Sequence, residues 1–104
     1  MDMDEIMRRA REAQEKAQEM QRQIASVTIE GQAGGGIVRV TLSGKNELKK
    51  VAIDPSLMAA SEREILEDLI VAAHADAKAK LDVRIAEEMA KMASALGLPP
   101  GFGL

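Results

Sequence analysis

VTIEGQAGGGIVRVTLSGKNELKKVAID, residues 27–54, is the stretch that decides the fold of this chain. Its apolar side chains return at every second position, which is the period of a strand with one buried face. These positions are Val27, Ile29, Val38, Val40, Leu42, Val51 and Ile53. Glycines at residues 34–36 accept the positive φ of a tight hairpin, and SGKNE at residues 43–47 makes a second turn. The stretch predicts a three-stranded antiparallel meander, whose third strand starts at Leu48, out of step with Val51 and Ile53.

A long amphipathic helix precedes the strands. Apolar residues recur there at alternating steps of three and four, the pattern of a packed helix. They are Met3, Ile6, Ala10, Ala13, Ala17, Met20, Ile24 and Val27. At about 1.5 Å per residue the helix spans roughly 35 Å, which is longer than a small domain needs for its own core. We expect part of it to pack on a partner or to project.

A second long helix follows the strands. DPS at residues 54–56 ends the third strand, because proline cannot donate a hydrogen bond to a sheet. Ser61 and Glu64 have the spacing of a capping box, which predicts the start of the helix. An apolar stripe then follows at Leu66, Ile70, Ala73, Ala77, Leu81, Ile85 and Met92. We expect the helix to end near Leu96 at a glycine C-cap, and residues 97–104 to form a flexible Pro/Gly-rich tail.

These elements predict one α+β domain over residues 1–96: a long helix, a three-stranded antiparallel meander and a second long helix. Phe102 is the only aromatic residue, so the core rests on aliphatic and methionine side chains. Small domains bury a low fraction of their surface, and helices this long cannot all fold back onto one small sheet. We therefore expect a homodimer with projecting helices.

The composition argues against several functional classes. The chain has no cysteine, which removes disulfides, thiolate catalysis and cysteine-based metal sites and fits a reducing cytoplasm. His74 is the only histidine, and it stands without carboxylates at ligand spacing or a catalytic serine partner. Residues 1–11 lack the unbroken apolar run of a signal peptide or membrane span. We expect no enzyme activity, cofactor, metal, membrane partner or small-molecule substrate.

Cations on the two helices are the candidate contacts to nucleic acid. The net charge of -3 means that such binding must come from local segregation of positive charge. The candidates are Arg8, Arg9, Arg11, Lys16 and Arg22 on the first helix and Lys78, Lys80 and Arg84 on the last. They either pair with phosphate oxygens or are neutralised by carboxylates three or four residues away. On the first helix these carboxylates are Glu12, Glu15 and Glu19, and on the last helix Asp76, Asp82, Glu87 and Glu88 surround the basic cluster.

Four further cations are on or near the predicted sheet: Arg39, Lys45, Lys49 and Lys50. They extend a positive surface or protect a strand edge, since lysine on an exposed strand hinders pairing with other chains. Edge protection is the interpretation we favour at this point. Asp2, Asp4 and Glu5 place negative charge at the tip of the first helix, which argues against phosphate contact there.

Four segments carry a resemblance to a known family. They are the Met- and Gln-rich opening helix, VTIEGQAGGGIVRVTLSGKNELKKVAIDPSLM at residues 27–58, EREILEDLIVAAHADA at residues 62–77 and LPPGF at residues 98–102. Together they resemble the YbaB/EbfC family over nearly the whole chain. The resemblance implies an α-β-β-β-α protomer, a homodimer whose helices project like the arms of tweezers, and a cytoplasmic protein of the nucleoid that binds duplex DNA.

The function expected from the resemblance is to organise the bacterial chromosome or to modulate gene expression. Contacts should fall mainly on phosphates, because the sequence has no aromatic stacking platform and no helix-turn-helix reader. The alternative is a helix-mediated protein-interaction module, which docks a replication or recombination partner without touching DNA.

Overall fold

A computed structural model describes residues 2–95 and residue 97. Its main elements are α1 (Met3–Ser26), β1 (Thr28–Ala33), β2 (Val38–Ser43), β3 (Leu48–Ile53) and α2 (Arg63–Ala95). Two short 3-10 helices, Pro55–Leu57 and Ala60–Glu62, join β3 to α2. The predicted order of long helix, antiparallel meander and long helix is confirmed. Within the described residues, no helix has the length and apolar character needed to cross a membrane.

The sheet has the order β1-β2-β3, and α2 packs on one face of it. We call this face the inner face and the opposite one the outer face. Val38, Val40 and Leu42 of the central strand alternate with polar residues and are completely or almost completely buried on the inner face. Ala73, Ala77, Leu81 and Leu57 complete the buried cluster. The apolar stripe predicted for the second helix is therefore the surface that forms the core.

A β-bulge in β3 explains why Leu48 is out of step in the sequence. Thr41 pairs with Lys50, but the next residue, Leu42, pairs with Leu48, so β3 holds one extra residue. The bulge returns Leu48 to the inner face, beside Leu42. Because α2 lies over β1 and β2, Leu48 remains 53% exposed and Val51 39% exposed.

Gly31 lets the backbone of α2 touch β1. A Cβ at Gly31 would collide with Ala77 N and Ala73 O and would lie 2.6 Å from Ala77 Cα. The predicted capping box is wrong, since Ser61 lies within a 3-10 helix that leads directly into α2. At the other end, Gly97 has φ 75° and its N–H donates to Ser94 O, in agreement with the predicted glycine C-cap. The rest of the predicted tail lies outside the described residues.

The first helix is attached to the rest of the protomer at its C-terminal end. Val27 N donates to Ile24 O and Gly44 N donates to Val27 O, at 3.1 and 2.9 Å. A Cβ at Gly44 would collide with Ile24 O, so this turn accepts α1 only because residue 44 is glycine. None of the residues of α1, all of which are described, is buried. The chain measures 72 × 22 × 14 Å, and its radius of gyration of 19.8 Å exceeds the ~13 Å of a compact domain of this size.

Candidate nucleic-acid interface

The candidate cations of α1 lie on an exposed helix. Its N-terminus is capped by Asp2, whose carboxylate accepts a hydrogen bond from Glu5 N at 2.8 Å. Asp4 and Glu5 in the first turn interact favourably with the positive end of the helix dipole. The acidic tip therefore has a structural role in starting the helix. Arg8 and Arg11 follow within the next two turns.

The five candidates on α1 differ in their ion pairing. Arg9 pairs with Glu5 at 3.1 Å and Arg22 pairs with Glu19 at 2.6 Å. Among the described residues, no carboxylate lies within 4.0 Å of the side-chain nitrogens of Arg8, Arg11 or Lys16. Of the three neutralising carboxylates predicted on this helix, only Glu19 forms an ion pair with another residue that the structure describes. Glu5, four residues before Arg9, was not among the predicted neutralising carboxylates, although its spacing fits such a pair.

All three candidates on α2 are paired with a carboxylate four residues away. The pairs are Lys78–Asp82 at 3.1 Å, Lys80–Asp76 at 2.9 Å and Arg84–Glu88 at 3.1 Å. Arg84, followed by the nearby charge of Lys91, lowers the pKa of Glu88 below its ordinary value of 4.5. The positive charges of this cluster are therefore compensated locally, in contrast to three of the five charges on α1.

Asp76 joins the α2 cluster to the sheet. Its Oδ2 accepts from the backbone N–H of Gln32 in β1 at 2.9 Å, while Lys80 donates from the same helix. The Lys80 ammonium and then the Gln32 N–H hold the pKa of Asp76 below its ordinary value of 3.8. Because Asp76 is held by the sheet, Lys80 is positioned along α2 instead of moving freely in solvent.

The two groups of candidates approach each other only near the end of α1. A shallow cleft there is lined by Gln23, Ser26, Val27, Thr28, Arg84 and Glu88. Arg84 is the one α2 candidate that lines it. Arg11 is twelve residues before Gln23, which places it about 18 Å further along the helix. The structure thus separates the cations near the free end of α1 from those of α2.

No metal site accompanies these cations in the part of the chain that the structure describes, where no three His, Asp or Glu side chains are grouped as ligands. His74 is exposed on α2. The chemistry that the described surface offers is therefore ionic contact and hydrogen bonding by side chains of long helices.

The sequence and the fold are similar to those of known proteins. The model of a family described as the YbaB/EbfC DNA-binding family matches residues 1–96. A nucleoid-associated protein from Brucella ovis and one from Brucella canis are each 52% identical over 103 residues, covering 99% of this chain and 96% of the relative. The crystal structure of an uncharacterized protein from Helicobacter pylori is similar in fold, with a TM-score of 0.71 over 88% of this chain and 97% of that one, at 20% identity.

Proposed function

Because this chain belongs to the YbaB/EbfC DNA-binding family, we propose that it is a nucleoid-associated protein that binds duplex DNA as a homodimer, mainly through phosphate contacts. Such binding would organise the chromosome or modulate gene expression. The relatives from Brucella are named nucleoid-associated proteins, and we infer the same location, the nucleoid in the cytoplasm, for this chain.

The observation that carries the proposal is a set of three cations on α1 that form no ion pair with a described carboxylate. Arg8, Arg11 and Lys16 stand on a helix with no buried residue, and no described carboxylate is within ion-pair distance of them. An arginine without an acidic partner can offer its planar N–H fork to two phosphate oxygens at once. The exposed position of α1 leaves room for a duplex to reach these side chains.

We expect the ion-paired cations of α2 to contribute less to DNA binding than the unpaired cations of α1. An exposed pair at a spacing of four is worth only about 0.3–0.5 kcal/mol, so Lys78, Lys80 and Arg84 can exchange their partners for phosphates at small cost. Each exchange nevertheless leaves a carboxylate close to the DNA backbone, where it repels the phosphates. We therefore rank the α2 cluster below the unpaired cations of α1.

Exposed apolar surface supports dimerisation. Met3, Ile6 and Met7 of α1 are 69%, 46% and 55% exposed, and Leu48 and Val51 lie uncovered on the inner face of β3. One protomer has no element left among its described residues to cover both surfaces. A second copy related by a twofold axis would supply the same surfaces in return, as small domains with thin cores require.

The test is an anisotropy titration of a fluorescent duplex at about 50 and about 200 mM salt. We expect wild type to bind with a steep salt dependence. The double variant R8Q/R11Q should bind at least about threefold more weakly than the matched variant R9Q/R22Q, which removes two ion-paired arginines from the same helix. Light scattering should show the same oligomeric state for all three proteins. Equal losses in both variants would contradict the assigned role of the unpaired cations.

The alternative of a protein-interaction module is supported by two exposed apolar side chains on α2. Val71 and Val83 on α2 are 70% and 59% exposed, and they lie away from the buried stripe of that helix. Absence of duplex binding at low salt by a folded dimer would reject DNA binding and favour this alternative. Salt-sensitive binding that depends on Arg8 and Arg11 would reject it as the principal function.

A further inference from the structure

We propose that the β2–β3 hairpin carries a second surface for the phosphate backbone of duplex DNA, formed by Arg39, Lys45 and Lys50. We call these three residues the hairpin cations. The inference rests on the proposed DNA binding and adds a contact surface on the sheet, separate from the cations of the two helices.

The hairpin is the part of the chain where positive charge is most clearly segregated. Residues 31–53 contain four cations and one carboxylate, Glu47, whereas α1 contains five of each. Glu47 is paired with Lys49 at 3.5 Å. The three hairpin cations are exposed, and no described carboxylate lies within ion-pair distance of them. The β2–β3 hairpin, residues 38–53, thus carries four cations against one carboxylate in a chain with a net charge of -3.

Arg39 is held in position without losing its charge. It lies on the central strand β2, and its Nε donates to Gly36 O at 3.2 Å. A Cβ at Gly36 would lie in ordinary van der Waals contact with the guanidinium, 3.4 Å from Arg39 Nη2, so the side chain lies close over the turn. One N–H therefore fixes the side chain over the β1–β2 turn, and the other N–H groups remain available for phosphate oxygens.

Lys50 stands beside Arg39 on the outer face of the sheet. Arg39 pairs with Ala52, and Thr41 pairs with Lys50, so the two cations are diagonal neighbours about 7 Å apart at their backbones. Duplex DNA carries one negative charge per about 1.7 Å of its axis, and both side chains can reach one stretch of backbone. Lys45, in the turn between β2 and β3, extends the positive surface beyond the sheet.

The outer face suits an approaching duplex more than a protein partner. Its remaining residues are polar or small, with Ala52 as the largest apolar side chain. Glu30 is the one carboxylate on this face of the strands, opposite Thr41. Asp54, just beyond β3, accepts from Ser56 N at 2.9 Å. Neither carboxylate is paired with a hairpin cation.

Edge protection does not account for this arrangement. The strand order β1-β2-β3 makes β3 an edge strand, so Lys49 and Lys50 are in positions where lysine hinders unwanted strand pairing. Arg39, however, is on the central strand, and Lys45 is in a turn. A role shared by all three hairpin cations must therefore depend on their charge and not on the edge.

The experiment compares two double variants that lower the net charge equally. R39Q/K50Q removes two hairpin cations, and R63Q/K91Q removes two cations whose carboxylate partners are Glu67 at 3.0 Å and Glu88 at 3.6 Å. In duplex titrations over a range of salt, each lost phosphate contact lowers the slope of log Kd against log salt by about 0.9. We expect R39Q/K50Q to lower it by roughly 1.8 for each hairpin that touches DNA, and R63Q/K91Q to leave it unchanged.

Different results separate the failure of this inference from that of the proposed function. If wild type binds and both double variants keep its slope, the hairpin surface is rejected while DNA binding stands. If wild type does not bind at low salt, the proposed function fails with it. K45Q/K50Q retains the Arg39 bond to Gly36 O, so it replaces R39Q/K50Q if thermal unfolding shows that variant to be misfolded, and the same drop in slope is expected.

Discussion

Replacing Gly31 by alanine should push α2 away from β1 and destabilise the fold. The new Cβ would collide with backbone atoms of Ala73 and Ala77 and would lie 2.6 Å from Ala77 Cα, whereas ordinary van der Waals contact begins at 3.4 Å. Backbone of a helix cannot rotate out of the way as a side chain can. The helix must therefore withdraw from β1 by on the order of 1 Å, which loosens its contacts with Val40 and Leu42.

The cost should exceed that of ordinary overpacking, which is about 1–3 kcal/mol. We expect G31A to lower the free energy of unfolding by about 3 kcal/mol or more, since all the colliding atoms belong to one rigid helix. For a chain of this length that loss corresponds to a fall in Tm on the order of 15 °C. Urea and thermal denaturation, followed by circular dichroism at one fixed protein concentration, would measure it.

The matched control is G35A, in the turn between β1 and β2. A Cβ at Gly35 meets nothing within 4 Å, but its φ of 73° is strained for alanine, which costs about 1–2 kcal/mol. The reasoning is refuted if G31A is no less stable than G35A. That outcome would mean that α2 does not approach β1 as closely as the structure places it.

Three further perturbations test other parts of the structure. Leu81→Ala should lower the free energy of unfolding by about 2–5 kcal/mol in urea denaturation, because the side chain is fully buried. Val83→Ala, at an exposed position, should change it by less than about 0.5 kcal/mol. Similar losses in both variants would contradict the packing of α2. Asp76→Asn should lower Tm near pH 7. The pKa of Asp76 is lower in the folded protein than its ordinary value of 3.8, so the ionised carboxylate stabilises the fold at pH values above 3.8. That stabilisation is lost as pH falls through the lower folded pKa, so the difference from wild type should shrink toward pH 3, and a constant difference would argue against the ionic contribution. Gly44→Ala should push α1 away from the turn between β2 and β3, because the new Cβ would collide with Ile24 O of α1. Tryptic cleavage within α1 should then be faster while the sheet and α2 persist; unchanged cleavage would mean that α1 is held elsewhere.

The ion pairs show where local reasoning succeeds and where it fails. The acidic residues predicted to surround Lys78, Lys80 and Arg84 include their three ion-pair partners, because neighbours three or four residues apart meet on any helix. Helical spacing did not predict that Arg9 is ion-paired while Arg8 and Arg11 are not, since several carboxylates lie at a suitable spacing from each of these arginines. The contact between Asp76 and Gln32 joins residues 44 positions apart, so no helical spacing could reveal it.

The sequence by itself determined the type and order of the elements, because periods of two and of 3.6 are local properties that follow from strand and helix geometry. It also placed the buried stripe of α2, with Ala73, Ala77 and Leu81 at its centre. Only the tertiary structure decided that α2 lies over β1 and β2, through the backbone contact at Gly31, and that a bulge in β3 leaves Leu48 on an uncovered surface. It also brought Arg39 and Lys50 together on the outer face. These features depend on strand register and on contacts between segments that are distant in the sequence. The apolar pattern of a single segment predicts neither.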